Sequence, residues 1–181
     1  MEPEWKAELD EVVKAMESSV LRYESLMPDT DDLTLMVLKG HLVIEEQLFL
    51  IAQQYCALPE HLEKVRLSFA QLSNLVRALT GSNILETTWS AISKLNGLRN
   101  ALAHQLEPED VSQAIDDLYR QSQAGSEPLE GYVRPTEPAR IVEESVYALM
   151  GALDFAREIP PMIARVIADI QASPPEPSGS T

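Results

Sequence analysis

Apolar residues recur along most of this chain at intervals of three and four, the spacing that gathers them on one face of an α-helix. No stretch sustains the strict alternation of a half-buried strand. Over residues 4–26 the apolar positions are Trp5, Leu9, Val12, Val13, Met16, Val20 and Tyr23, set among acidic residues, which predicts an amphipathic helix. Pro28 and the run Asp29-Thr30-Asp31-Asp32 end it and offer capping oxygens to the next helix. That helix, residues 32–57, carries two apolar rows. One is Leu35, Leu38, Leu42, Glu45, Phe49 and Ala52; the other is Val37, His41, Ile44, Leu48, Ile51 and Tyr55. Two rows predict a central helix, covered on more than one side.

Pro59-Glu60 opens a third helical pattern over 60–79, ended by Gly81-Ser82-Asn83, and Ser82 or Asn83 is placed to cap a fourth over 84–106. Pro108-Glu109-Asp110 begins a short amphipathic helix that runs to about residue 123. Residues 124–136, rich in Gly, Pro and Ser, read as an exposed loop. A long helix follows from about 137 to 172, with a break or kink expected at Pro160-Pro161. Residues 173–181 have the Pro, Ser and Gly composition of a disordered tail. The expected fold is all-α, a bundle in which residues 1–172 form a single domain, with Leu38, Leu42, Phe49, Trp89, Ile92, Leu98 and Leu102 largely buried.

A length of 181 residues suits one domain, and 45% hydrophobic residues suffice for a core. Cys56 is the sole cysteine, so no intramolecular disulfide can form and no zinc motif exists; it reads as an apolar filler near a helix end. The acidic start, Met1 to Trp5, lacks the basic and apolar regions of a secretion signal, and no apolar run approaches the roughly 20 residues that cross a bilayer. A cytoplasmic protein without metal or cofactor is expected, with no membrane partner. Charge complicates the picture. The 29 acidic residues against 14 Lys and Arg give −15, which repels a phosphate backbone if spread evenly. It is not even: in residues 62–104 the bases Lys64, Arg66, Arg77, Lys94 and Arg99 outnumber Glu63 and Glu86.

That positive stretch contains Leu95-Asn96-Gly97-Leu98-Arg99-Asn100-Ala101-Leu102-Ala103-His104. On a helix Asn96, Asn100 and His104 form one polar row, Arg99 lies one step round from it, and Trp89, Ile92, Leu95, Leu98 and Leu102 can face the core. Histidine exchanges protons near neutral pH, and the guanidinium fork matches a phosphate and its transition-state charge. Asparagine can orient the imidazole or donate to a phosphate oxygen. The plain alternative is an ordinary solvated helix face, with a histidine placed to complement the helix dipole.

Arg99-Asn100-Ala101-Leu102-Ala103-His104 resembles the Arg-x4-His signature of the HEPN superfamily, including the Asn that often follows the Arg. The resemblance covers roughly residues 32–123. It implies a bundle of four to five core helices, here with an extra N-terminal helix and a C-terminal helical extension, that forms a homodimer with two motifs across a shared cleft. It further implies a metal-independent endoribonuclease, a toxin of a toxin–antitoxin pair or a phage-defence effector, that cleaves RNA through the 2′-hydroxyl. Arg99, His104 and Asn100 would then be catalytic, Glu45 and Asn96 supporting. Glu45, a carboxylate in an apolar row, needs a partner, and Arg99 is a candidate; equally, Glu45 emerges at the bundle surface. His41 reads as a satisfied core or boundary histidine, His61 as a surface residue, and Trp5 and Trp89 as core or dimer-contact aromatics rather than base-stacking platforms, since no basic residues interleave with them. Two other functions stay open. One is a non-catalytic acidic module, an antitoxin, immunity or regulatory protein that docks a basic partner; the other is a helical scaffold without a site.

Overall fold

Asp32 begins the central helix: its carboxylate accepts the backbone N–H of Leu35, and α2 then runs Leu33–Gln54. The computed structural model describes residues 4–172 except 106, 126, 128 and 129; the expected tail at 173–181 lies outside the described residues. Helix α1 spans Glu4–Leu26 and precedes α2; a short α3, Pro59–Leu62, follows it. Then come α4 (Phe69–Thr80), a 3-10 turn (Gly81–Asn83), α5 (Glu86–His104), α6 (Val111–Ser122) and α7 (Pro138–Ala172). The described residues contain no strand, and no helix among them is long and apolar enough to cross a membrane.

Helix α2 sits at the centre because its second apolar row has partners on all sides: Val37, Ile44, Leu48 and Ile51 are fully buried. Its longest contact is with α7, and α4 and α5 pack on its other flank. Gly40 sets the α2–α7 approach, since a Cβ there would lie 2.5 Å from Val146 Cγ2. Helices α5, α6 and α7 close the bundle around Leu95, Leu98, Ile115, Leu118, Val142 and Val146, and α1 lies along α7, its Tyr23 joining the same core.

Four sequence expectations are corrected. The pattern over 60–79 is two helices, because Ser68 starts α4 with a capping box: its hydroxyl accepts from Gln71 N–H, and Gln71 returns the bond to Ser68 N–H. Neither Ser82 nor Asn83 caps α5; Leu85 occupies that position without a side-chain bond, and Glu86 in the first turn complements the dipole and pairs with Arg77. Leu42 is 57% exposed, because the first apolar row of α2 runs along the rim of the α2–α4–α5 contact rather than beneath it. The same row leaves Leu38 and Phe49 half-buried, while Trp89, Ile92 and Leu98 are buried as expected. Helix α7 runs on through Pro160 and Pro161 without the expected break, although those prolines remove two backbone donors.

Candidate functional site

Three helices bring the polar row of α5 to a cavity. Helix α2 presents His41 and Glu45, the start of α4 presents Ser68 and Phe69, and α5 presents Asn96, Arg99 and Asn100 around a space of about 520 Å³. Leu38, Leu42 and Ala70 complete the wall. The α5 residues reach it because Leu95 and Leu98, fully buried in the core, fix the rotation of the helix and turn the Asn96–Arg99–Asn100 face towards α2 and α4.

The geometry within the site is specific. His41 is buried, its Nε2 lies 3.2 Å from Asn96 Oδ1, and its ring stacks at 4.1 Å on Phe69. Burial pushes the His41 imidazole below the ordinary histidine range; the Asn96 bond and the Glu45 charge oppose that shift, and the Arg99 charge adds to it. Arg99, half-buried, donates from Nη1 to Asn100 Oδ1 at 3.1 Å. No hydrogen bond or ion pair joins Arg99 to Glu45 among the described residues, so the expected pairing is not formed; the carboxylate stands half-exposed at the rim instead. Its neighbour Glu46 points elsewhere: both oxygens take the Arg22 guanidinium, at 2.8 and 2.9 Å, and Tyr23 donates to it, which holds its carboxyl below the usual range.

His104 is the last residue of α5 and is exposed; it does not line the cavity. It lies four residues beyond Asn100, roughly 6 Å further along the helix on the same face. Thus Arg99, Asn100, Asn96 and Glu45 meet at one cavity, and His104 lies outside its lining, exposed at the end of α5. The residue underrated from the sequence is His41. Its position in an apolar row signals burial correctly, but the partner that makes it part of the site, Asn96, is 55 residues away. His61 is exposed, as expected of a surface residue, and Cys56 is half-buried after the end of α2.

The donor set suits an oxyanion. Arg99 and the amides of Asn96 and Asn100 supply hydrogen-bond donors, and two imidazoles stand nearby for proton exchange. No group of three or more His, Cys, Asp or Glu that could hold a metal ion exists among the described residues. A second cavity, about 550 Å³ between α6 and the start of α7, is lined mainly by Leu33, Val111, Ile115, Pro138 and Ile141, and its acid, Asp116, is held by Arg134. It lacks an imidazole and offers no comparable chemistry. No family model, no curated protein and no solved structure matches this chain.

Proposed function

We propose that this protein is a metal-independent endoribonuclease of the HEPN type that works as a homodimer. The observation that carries the reading is the convergence of Arg99, Asn100 and Asn96 on one cavity, with His104 exposed one turn further along the same face. Arg99 binds the scissile phosphate and stabilises its extra charge, Asn100 orients the phosphate or the imidazole, and His104 moves the proton. The ribose 2′-hydroxyl is the nucleophile, so the protein manages only charge and protons. Pairing two copies about a two-fold axis near residues 62–104 concentrates the net-positive segment of an otherwise acidic chain, which offsets the repulsion of RNA. A toxin or phage-defence role follows, with an antitoxin or regulatory protein restraining the activity.

A second reading rests on the −15 charge: an acidic, non-catalytic module that docks a basic protein. Incubating purified protein with total RNA, with and without chelator, beside His104→Ala, separates the two. The enzyme reading expects cleavage that survives chelation and falls about 10²–10⁴-fold in the variant, the usual contribution of a positioned acid or base. RNA left intact between about pH 6 and pH 9, or equal cleavage by His104→Ala, favours the docking module.

A further inference from the structure

Resting on the ribonuclease reading, we infer that His41, held by Asn96 at the wall of the cavity, is the general base of the site, while His104 serves as its acid. Three observations place it there. His41 shares the cavity with Arg99 and Asn100, whereas His104 does not line it. Its ring is fixed twice, by the bond to Asn96 Oδ1 and by the Phe69 face, so its orientation is set before a substrate arrives. Because Asn96 Oδ1 accepts, Nε2 carries the proton and Nδ1 holds the lone pair. That Nδ1 makes no hydrogen bond among the described residues, yet it is not one of the polar atoms sealed from solvent without a partner. A base with a fixed tautomer and a free lone pair is what proton abstraction requires.

The step balances. The 2′-oxygen bonds to phosphorus as its proton passes to His41. The bond from phosphorus to the 5′-oxygen breaks, and that oxygen takes a proton from His104. A 2′,3′-cyclic phosphate and a 5′-hydroxyl result, with no further reactant. The groups that face His41 are Glu45 from its own helix and Arg99 from α5; the α4 side contributes Ser68, Phe69 and Ala70, none of which titrates. The dominant influence is burial, which keeps His41 neutral and ready to accept a proton at neutral pH.

The test is the pH profile of kcat/KM for RNA cleavage by the native protein, His41→Gln and His41→Phe, each checked for a cooperative thermal transition. His41→Phe keeps an aromatic ring against Phe69 while removing both nitrogens. Both variants are expected to lose about 10²–10⁴-fold in rate, and the native acid limb is expected below the ordinary histidine value of 6.5. Native cleavage with an unimpaired His41→Phe overturns the inference and leaves the ribonuclease reading standing. An absence of cleavage by the native protein removes both. If neither variant folds, the native acid limb decides: a midpoint at or above the ordinary value contradicts His41 as the base.

Discussion

Two polar clusters flank the central helix, and the protein treats them oppositely. On the side of α1 and α7, Gln47 is fully buried and donates to Asp154 Oδ1 at 3.0 Å and to Ser19 Oγ at 3.2 Å. Its own oxygen accepts from Arg157 at 3.0 Å, and Arg157 pairs with Asp154 at 3.1 Å and with Glu158 at 2.8 Å. On the side of α4 and α5, His41 has one bond, Arg99 bonds only its sequence neighbour Asn100, and Glu45 has no bond among the described residues. The first cluster is closed: its members come from three helices and saturate one another, apart from Asp154 Oδ2. The second is open onto a cavity, with donors left for a ligand. A closed buried network specifies how helices meet, whereas an open one keeps its hydrogen-bonding capacity for something outside the chain.

The largest stability effect is expected at the closed cluster. Arg157→Ala leaves the Asp154 carboxylate buried without its cation, and breaking a buried pair in this way typically costs about 3–5 kcal/mol. Denaturant unfolding of native and variant protein measures it; a loss under about 1 kcal/mol would show that Arg157 behaves as a surface residue despite its 13% side-chain exposure.

Gly40→Ala probes the α2–α7 seam between the two clusters. Its new methyl would meet the stiff, branched Val146 side chain at 2.5 Å, so overpacking of about 1–3 kcal/mol is expected by thermal unfolding. Adding Val146→Ala should restore most of the loss, because the clash involves that side chain alone among the near neighbours.

The smallest effect concerns pH. Burial raises the Asp154 carboxyl above its ordinary 3.8, against the pull of Ser19, Arg157 and Gln47. A raised folded-state value means that the folded protein holds the proton more tightly than the unfolded chain. The stability from that preference is present at low pH and is lost as pH rises from the unfolded value through the folded one. Asp154→Asn cannot titrate, so its thermal midpoint relative to native protein should climb as pH rises above the ordinary carboxyl value of 3.8 and level off once Asp154 is ionised in both states. A falling difference would mean that Arg157 outweighs burial.

Much of this contrast was hidden in the sequence, for physical reasons. The 3.6-residue period placed α1, α2 and α7, although α1 leaves Trp5, Val13 and Val20 exposed and α7 leaves Ile163 and Ile167 exposed, and Asp32 and Pro28 marked the boundary between the first two. The split near residue 63 was written in Ser68-x-x-Gln71, a capping signature masked by the earlier start signal at Pro59-Glu60. Periodicity could not tell which apolar row of α2 would be covered, since that depends on where α7 and α4 dock; hence Leu42 is exposed and Ile44 is not. The α5 polar row was legible because its members are local, three and four residues apart. His41–Asn96 and Ser19–Asp154 join residues 55 and 135 apart, and only the packed helices bring them together. The one hint was a lone polar residue in an apolar setting, as with Asp154 between Leu153 and Phe155.

The same conservative change made in both clusters tests the division between them most directly. Lysine keeps the charge of an arginine but loses its planar fork. RNA-cleavage rate and thermal midpoint are measured on Arg99→Lys and Arg157→Lys, with native protein beside them. Arg99→Lys should hold the native midpoint and lose most of its cleavage rate. Arg157→Lys should melt roughly 4–8 °C lower, for a loss of about 2 kcal/mol in a chain of this size, and cleave at the native rate while folded. The reverse pattern, a destabilised Arg99→Lys that still cleaves and a stable Arg157→Lys that does not, would contradict the assignment of function to the α2–α4–α5 cavity.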